Sequence, residues 1–247
     1  MTPWVMRLIA ANIFVFFVTG RSPALMAQLA FVPGLALTEP WRFVTYMFVH
    51  SGFGHIFFNM LGLYFFGPQL EIRLGEGRFL GLYFLSGIAG ALLSIPVGYP
   101  IVGASAATFG VFLGFARYWP HVQVLIWGIV PVQARVLVVI MTLMSVFGTS
   151  GLGQPGIAHT AHLGGFLGGY LYLLWIERSS SAARFRARAT ALAPKATPSD
   201  LDRWKAINRE AMHPVNREEL ERVFAKIDAG GPGTLTADER AFLNRFS

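Results

Sequence analysis

Apolar residues run through the first 176 positions in long blocks, and the polar residues that interrupt them fall mostly at block ends. A helix crossing a bilayer needs about 20 mostly apolar residues, so stretches free of Lys, Arg, Asp and Glu are the informative unit. Residues 79–116 and 136–176 contain none of these for 38 and 41 positions, each enough for two spans and a turn. The turns are visible as Pro96 to Gly103 and Gly148 to Gly156, both rich in helix-breaking residues. Those stretches supply spans three to six. A second span begins near Ser51 and ends at Gly67-Pro68, and Trp4 to Val18 makes the first. Its only basic residue, Arg7, lies inside the apolar stretch and no A-x-A site follows, so it reads as a span rather than a signal peptide. The connection from Thr19 to His50 is too long for a minimal turn. Its apolar patches, such as Leu25 to Leu37, suit a segment lying partly in the membrane interface.

After the sixth span the pattern changes, which predicts a membrane domain over 1–177, a basic and Pro/Ala/Ser/Thr-rich linker over 178–200 and a helical tail over 201–247. Within the tail, helical patterns cover Leu201 to Met212, Arg217 to Ile227 and Ala237 to Phe246, the last opened by Thr236 and Glu239 at capping-box spacing. Asp228 to Glu239 has the length of a calcium loop. Gly230 and Pro232 stand where such a loop needs oxygen ligands, so the stretch reads as a helix-turn-helix docking element. The fold class expected is all-α and integral to the membrane: a six-span bundle with a small soluble helical tail.

Composition and charge sharpen this picture. Hydrophobic residues make up 54% of the chain, and of its 20 basic and 13 acidic side chains only 7 and 3 lie in residues 1–176. Arg7, Arg73, Arg78, Arg117, Arg135, Arg178, Arg184, Arg186 and Arg188 fall on one side of a six-span path, and only Arg21 and Arg42 on the other. By the positive-inside rule both termini are cytoplasmic. Basic charge this sparse, and mixed with acid in the tail, offers no phosphate-binding face, which sets nucleic acid aside as a partner. The chain has no cysteine, excluding disulfides, thiolate zinc sites and a cysteine nucleophile.

Polar side chains inside apolar spans are costly and therefore point to function. Three groups stand out: His50, His55 and Asn59 at the start of span two, Ser105 within Gly103 to Gly110 at the start of span four, and His159 and His162 at the start of span six. With the amino terminus inside, these three spans all run outward to inward. Their first turns share one leaflet and can converge at one depth.

A serine, a neutral imidazole and a carboxamide can supply a nucleophile, a general base and an oxyanion donor, sufficient for acyl transfer. The three acids before residue 177, Glu39, Glu71 and Glu76, lie in loops or at span ends, so the form available is a Ser-His dyad rather than a triad. His55 and Asn59, four apart, share one helix face and could donate to one oxygen. Zinc is the rival reading of His55, His159 and His162, but there is no HExxH and no nearby carboxylate, so no metal is expected. A proton-relay transporter would need acidic or paired polar groups deeper in the bundle. Gly164, Gly165, Gly168 and Gly169 give small-xxx-small spacing twice over and predict close packing. The matching surface is on span four: Gly103, Ala106, Ala107, Gly110 and Gly114.

Taken together, residues 38–176 resemble the rhomboid family of intramembrane serine proteases. Five motifs occur in the family's order: Trp41-Arg42, then His50 with His55 and Asn59, Glu71-x-Arg73, GASAATFG, and AHLGGFLGG. The resemblance implies Ser105 as nucleophile and His162 as base, because the family's histidine precedes small-xxx-small, here Gly165 and Gly169. It implies an oxyanion hole of His55, Asn59 and the Ser105 N–H, with Gly103 and His50 in support and Phe109 packing beside the imidazole. Trp41, Arg42, Glu71 and Arg73 take structural roles, and His159 has no fixed one. The usual G-x-S-G is Gly103-Ala-Ser-Ala106 here, a methyl group in place of a hydrogen beside the nucleophile. The resemblance implies transmembrane protein substrates cut near the outer leaflet, a lipid environment, no cofactor and, from the tail, a bacterial inner membrane. A catalytically silent relative that binds membrane clients is the alternative. Sequence identifies no partner for the tail.

Overall fold

A computed structural model describes residues 1–126, 128–149, 158–179, 198–210 and 212–247. The turn expected at Gly148 to Gly156 lies outside the described residues from Ser150 onward, as do Arg184, Arg186, Arg188 and most of the linker. The chain forms two compact units, Met1–Ile176 and Glu177–Ser247.

In the first unit a helix forms at each of the six apolar stretches. These are α1 (Pro3–Thr19), α4 (Phe53–Leu74), α5 (Glu76–Ser94), α6 (Ser105–Tyr118), α7 (Ala134–Phe147) and α8 (His159–Ser179), with short helices α2 (Pro23–Leu29) and α3 (Arg42–Thr45) in the first connection. Among the described residues one helical stretch, Glu76–Val97, is long and apolar enough by itself to cross a membrane, and α1 and α7 are apolar but shorter. Exposed apolar side chains ring this unit, among them Phe14, Phe65, Leu143, Leu171 and Trp175. A water-soluble surface rarely carries so large an apolar area.

α6 lies at the centre, packed by α4, α5 and α7 and burying Ala106, Ala107, Thr108, Gly110, Val111, Gly114 and Phe115. The glycines of α8 seat it in the groove between α5 and α6. A Cβ on Gly164 or Gly168 would strike Ala89 of α5, and one on Gly165 or Gly169 would strike Ala106 or Gly110 of α6. Small-xxx-small spacing therefore serves two neighbours, Gly164 and Gly168 facing one, Gly165 and Gly169 the other. Gly114 departs from the expectation that it faces span six. A Cβ there would meet Leu70 of α4 and Leu82 of α5 instead.

Span two also differs from its prediction. α4 does not end at Gly67-Pro68 but continues through Pro68 to Leu74, where Gly75 turns the chain at φ 80°. Proline removes one helical hydrogen bond, yet the following turn is held by Glu71, whose carboxylate accepts the Trp4 N–H at 3.1 Å and the Val5 N–H at 2.9 Å. These are free donors at the amino-terminal end of α1, where a negative charge is also favoured by the helix dipole. Arg73 lies over the Tyr118 ring at 5.1 Å. Thus Glu71 joins α4 to α1 and Arg73 joins α4 to the end of α6.

The first connection is tied down by Arg42, which is buried. Its guanidinium donates to Glu39 at 2.6 Å, to the Ala27 carbonyl at 2.7 Å and to the Ala30 carbonyl at 2.6 Å. Trp41 is 53% exposed, so the anchoring falls to its neighbour. Between α6 and α7 the pattern of spans gave no warning of a β-hairpin, β1 (Gln123–Ile126) paired antiparallel with β2 (Val130–Gln133).

The second unit has its own core around Trp204, Leu220, Val223 and Leu243. Its helices are Pro198–Lys205, Pro214–Gly230 and Ala237–Phe246. The first stops at Lys205 instead of reaching Met212. Ile207 and Met212 are buried all the same, from an irregular segment whose Arg209 and Met212 carbonyls accept bonds from Arg217. Thr236 and Glu239 form the capping box expected of them.

Candidate active site

Ser105 is the first residue of α6, and the loop before it is built for a tight approach. Gly103 adopts φ 114°, a conformation that L side chains rarely take, and a Cβ there would lie 2.5 Å from His55 Nε2. The Gly103 N–H donates to the Tyr46 carbonyl at 2.9 Å. The loop is held a second time by His50, whose Nε2 accepts the Ala104 N–H at 3.4 Å while its Nδ1 lies 3.3 Å from the Phe48 carbonyl. A proton on Nδ1 leaves Nε2 free to accept, so both contacts fit a single neutral tautomer.

Across the α6–α8 contact, His162 Nε2 lies 2.8 Å from Ser105 Oγ. Close backbone packing of Gly165 on Ala106 brings the two helices near enough for this bond. Phe109, one turn beyond Ser105, stacks on the imidazole with ring centroids 4.1 Å apart and planes at 23°. Both Ser105 and His162 are half-buried, leaving a route for a ligand. His159 does not reach the serine. Its ring packs against Gly148 at the end of α7, 6.2 Å from the His162 ring. Of the two histidines, His162 faces α6 and the serine, and His159, three residues earlier, faces α7.

His55 and Asn59 lie one turn apart near the start of α4, with the His55 ring against Gly103. Ser51 Oγ lies 3.1 Å from His55 Nδ1, which leaves Nε2 directed at the Gly103–Ser105 loop. Asn59 is buried, and one of its amide N–H groups donates to the His55 carbonyl at 2.8 Å. One N–H of the carboxamide remains beyond that bond. The His50 and His55 rings meet edge to face, centroids 5.0 Å apart, so the residue that holds the loop also supports His55. The backbone N–H of Ser105 lies in the first turn of α6, where a helix supplies no acceptor.

Sequence reasoning missed three participants. Ser51 stands four residues before His55, a helical spacing that could have shown it. Tyr46 contributes a main-chain oxygen, which no side-chain pattern reveals. Gly90 of α5 makes room for Ala106: a Cβ on Gly90 would lie 2.5 Å from the Ala106 Cβ. The methyl group that departs from the family pattern therefore occupies space left by a glycine on the neighbouring helix.

The family description "Rhomboid domain" matches residues 37–179. The mitochondrial rhomboid protein 1 of Saccharomyces cerevisiae is 34% identical over 149 residues, 56% of this chain and 42% of that protein. The rhomboid protease GluP of Bacillus subtilis is 32% identical over 137 residues, 55% of this chain and 26% of that protein. RHOMBOID-like protein 4 of Arabidopsis thaliana is 36% identical over 138 residues, 54% and 33% respectively. The chain spans less than half the length of each of these relatives.

Proposed function

The chain belongs to the rhomboid family of integral membrane proteins, and from that membership we propose that it is an intramembrane serine endopeptidase with Ser105 and His162 as a catalytic dyad. The observation that carries the reading is the 2.8 Å approach of His162 Nε2 to Ser105 Oγ between residues 57 apart in sequence. In the proposed reaction Nε2 takes the hydroxyl proton as Oγ adds to a peptide carbonyl of a substrate span. The negative oxygen that develops is met by the Ser105 N–H, by His55 Nε2–H and by the remaining Asn59 N–H. A Ser51 hydroxyl donating to His55 Nδ1 at 3.1 Å favours the tautomer with the proton on Nε2. His162 then returns its proton to the leaving amine as the C–N bond breaks. Water, deprotonated by the same imidazole, hydrolyses the acyl-serine and regenerates the hydroxyl.

We place the six helices α1 and α4 to α8 across a bacterial inner membrane, in a membrane domain of residues 1–177, with both termini and the tail cytoplasmic. The arginine distribution supports that orientation. Starts of α4, α6 and α8 then lie toward the outer leaflet, so the scissile bond is met there. A helix in lipid keeps its peptide groups bonded internally, which favours substrate spans that unwind easily near the cut.

Fluorophosphonate labelling in detergent, of the unaltered protein and of Ser105→Ala and His162→Ala, tests the dyad. Labelling of the unaltered protein that disappears with Ser105→Ala and falls with His162→Ala is the result expected. Labelling that survives loss of Ser105 overturns it, and an unaltered protein that neither labels nor cleaves any span is a silent client-binding relative.

A further inference from the structure

The β1–β2 hairpin between α6 and α7 carries its apolar residues on the wrong side for a water-exposed ribbon. Paired residues share a face, so Val124, Val132, Ile126 and Val130 form one face and Gln123, Gln133, Leu125 and Pro131 the other. Val124 packs toward Phe115 and Ala134, which accounts for the first face near the base. The second face should then alternate to polar. It is polar only at the base, where Gln123 pairs with Gln133 and Arg135 Nε donates to Gln133 at 2.9 Å. Toward the tip it carries Leu125, 58% exposed, and Pro131, and the tip is apolar and open beyond that face too: Val130, on the first face, is 52% exposed and Ile129, before the second strand, 79%. Gly128, at φ 72°, lets the chain reverse there without a polar turn residue.

The base is fixed to the helices it joins, through Ala134 N–H to the Val122 carbonyl at 2.9 Å and Arg135 N–H to the Pro120 carbonyl at 3.2 Å. Beyond the base, α7 again exposes apolar side chains, at Val136, Val139 and Ile140. A polar base and an apolar tip, on a hairpin joined to a helix with its own exposed apolar flank, form a gradient that matches a bilayer interface. Four-residue strands at about 3.3 Å per residue reach roughly 13 Å. Interfacial elements bury their apolar side about 5–10 Å into the headgroup and acyl boundary, a depth this length spans. The two outer ribbon edges keep unpaired backbone groups, which rules out a deeper position.

We infer that this hairpin inserts into the bilayer interface, with Leu125, Ile129 and Val130 among acyl chains and Gln123, Gln133 and Arg135 at the headgroups. The leaflet is the cytoplasmic one in the orientation proposed above, and only that assignment rests on it. Held in this way, the hairpin fixes the depth of the end of α6 and the start of α7.

The chain has no cysteine, so single cysteines can be placed in it directly. Ile129→Cys and Gln123→Cys, spin-labelled in dioleoylphosphatidylcholine vesicles, are compared for collision with oxygen and with a water-soluble nickel chelate. Insertion predicts oxygen access exceeding chelate access at 129, with the order reversed at 123. Chelate access at 129 equal to that at 123 puts the hairpin in water and overturns the inference. Low access to both reagents at 129 also overturns it: spin-spin broadening would then identify a second copy as the cover, and its absence protein packing. Helical circular dichroism checks that each variant is folded. Label depth reports on the hairpin and fluorophosphonate labelling on the dyad, so the two readings fail separately.

Discussion

Ala106 and Gly90 form a complementary pair across the α5–α6 contact. The methyl group beside the nucleophile fills the space that a side chain on Gly90 would need, the two Cβ positions being 2.5 Å apart. A Cβ on Gly90 would also meet the Ala161 carbonyl oxygen at 2.8 Å and the Tyr46 hydroxyl at 3.2 Å. Gly90→Ala gains about 1 kcal/mol of helix propensity. It overpacks against a backbone oxygen that cannot move aside, at about 1–3 kcal/mol, and net destabilisation is the outcome expected. Ala106→Gly should cost about 1–2 kcal/mol through propensity and the void it leaves. The double variant should be less destabilised than the sum of the two, since it removes one of three clashes. Thermal unfolding of the four proteins in detergent measures this. Additive losses would mean that the pair does not interact.

That pair marks the boundary of what the sequence makes legible. In the first unit the positions of α1 and α4 to α8 follow from runs with little or no charge, because a long apolar block leaves few alternatives. The candidate polar groups are legible too, since a serine, four histidines and an asparagine stand out in apolar surroundings, although one of the four, His159, packs against Gly148 and not toward the serine. Pro68 misleads, because the turn it weakens is held by Glu71 contacts to residues more than 60 positions away. Gly90 is silent for the same reason: a glycine in a span has no chemistry to display, and its value lies in a neighbour from another helix. The hairpin escaped notice because its tip is as apolar as the spans on either side.

Gly165 and Gly168 both pack closely, but against different things. A Cβ on Gly165 would run into the main-chain oxygen of Ala106, next to the nucleophile, whereas one on Gly168 would first meet the Ala89 side chain of α5. Gly165→Ala should push α8 from α6 and lengthen the His162–Ser105 bond. A displacement near 1 Å can cost about 100-fold in rate, and a loss of that order in fluorophosphonate labelling is expected. Gly168→Ala, on the α5 side, should lower stability with a smaller effect on the labelling rate. Equal effects on rate would show that α8 shifts as a whole whichever side is overpacked.

Glu71 accepts two main-chain N–H groups from α1, and its residue is only 4% exposed. Glu71→Ala leaves both donors without their acceptor, at about 1–3 kcal/mol for each that stays dry. Glu71→Gln keeps one acceptor oxygen and should lose about half as much. Thermal unfolding in detergent ranks the three proteins. A Gln variant no more stable than Ala would mean that charge at the amino-terminal end of α1, not hydrogen bonding, does the holding.

In the tail, Lys226 donates to Glu239 at 2.8 Å, the Thr236 N–H donates to the same carboxylate and Arg222 adds a third contact. In that order these hold the Glu239 carboxyl down, to about 2. Its ordinary value is about 4.3. A depressed carboxylate contributes its stabilisation fully above the ordinary value and loses it as pH falls through the depressed one. Protection of helix Ala237–Phe246 against amide exchange, corrected for intrinsic rates, should therefore be level from pH 7 to about 5 and decline from about 4.3 to about 2. Glu239→Gln should be less protected than the unaltered chain at pH 7, with the difference gone near pH 2. A difference that persists at the acidic end would assign the effect to packing instead of charge.

His50 is buried and holds the loop before Ser105 through its acceptor nitrogen, since Nε2 receives the Ala104 N–H at 3.4 Å. The bond is long, so its value lies less in strength than in the cost of leaving a buried N–H unmatched beside the nucleophile. His50→Ala removes the acceptor and also the ring that meets His55 edge to face. A loss near 1.4 kcal/mol corresponds to about tenfold in rate, and that fall in fluorophosphonate labelling is expected for the Ala variant. Glutamine can place an amide oxygen where Nε2 stands but cannot replace the ring. His50→Gln should therefore recover most of the labelling if the Ala104 bond dominates, and little of it if the ring's support of His55 does. Labelling of His50→Ala at the rate of the unaltered protein would remove His50 from the positioning of the loop altogether.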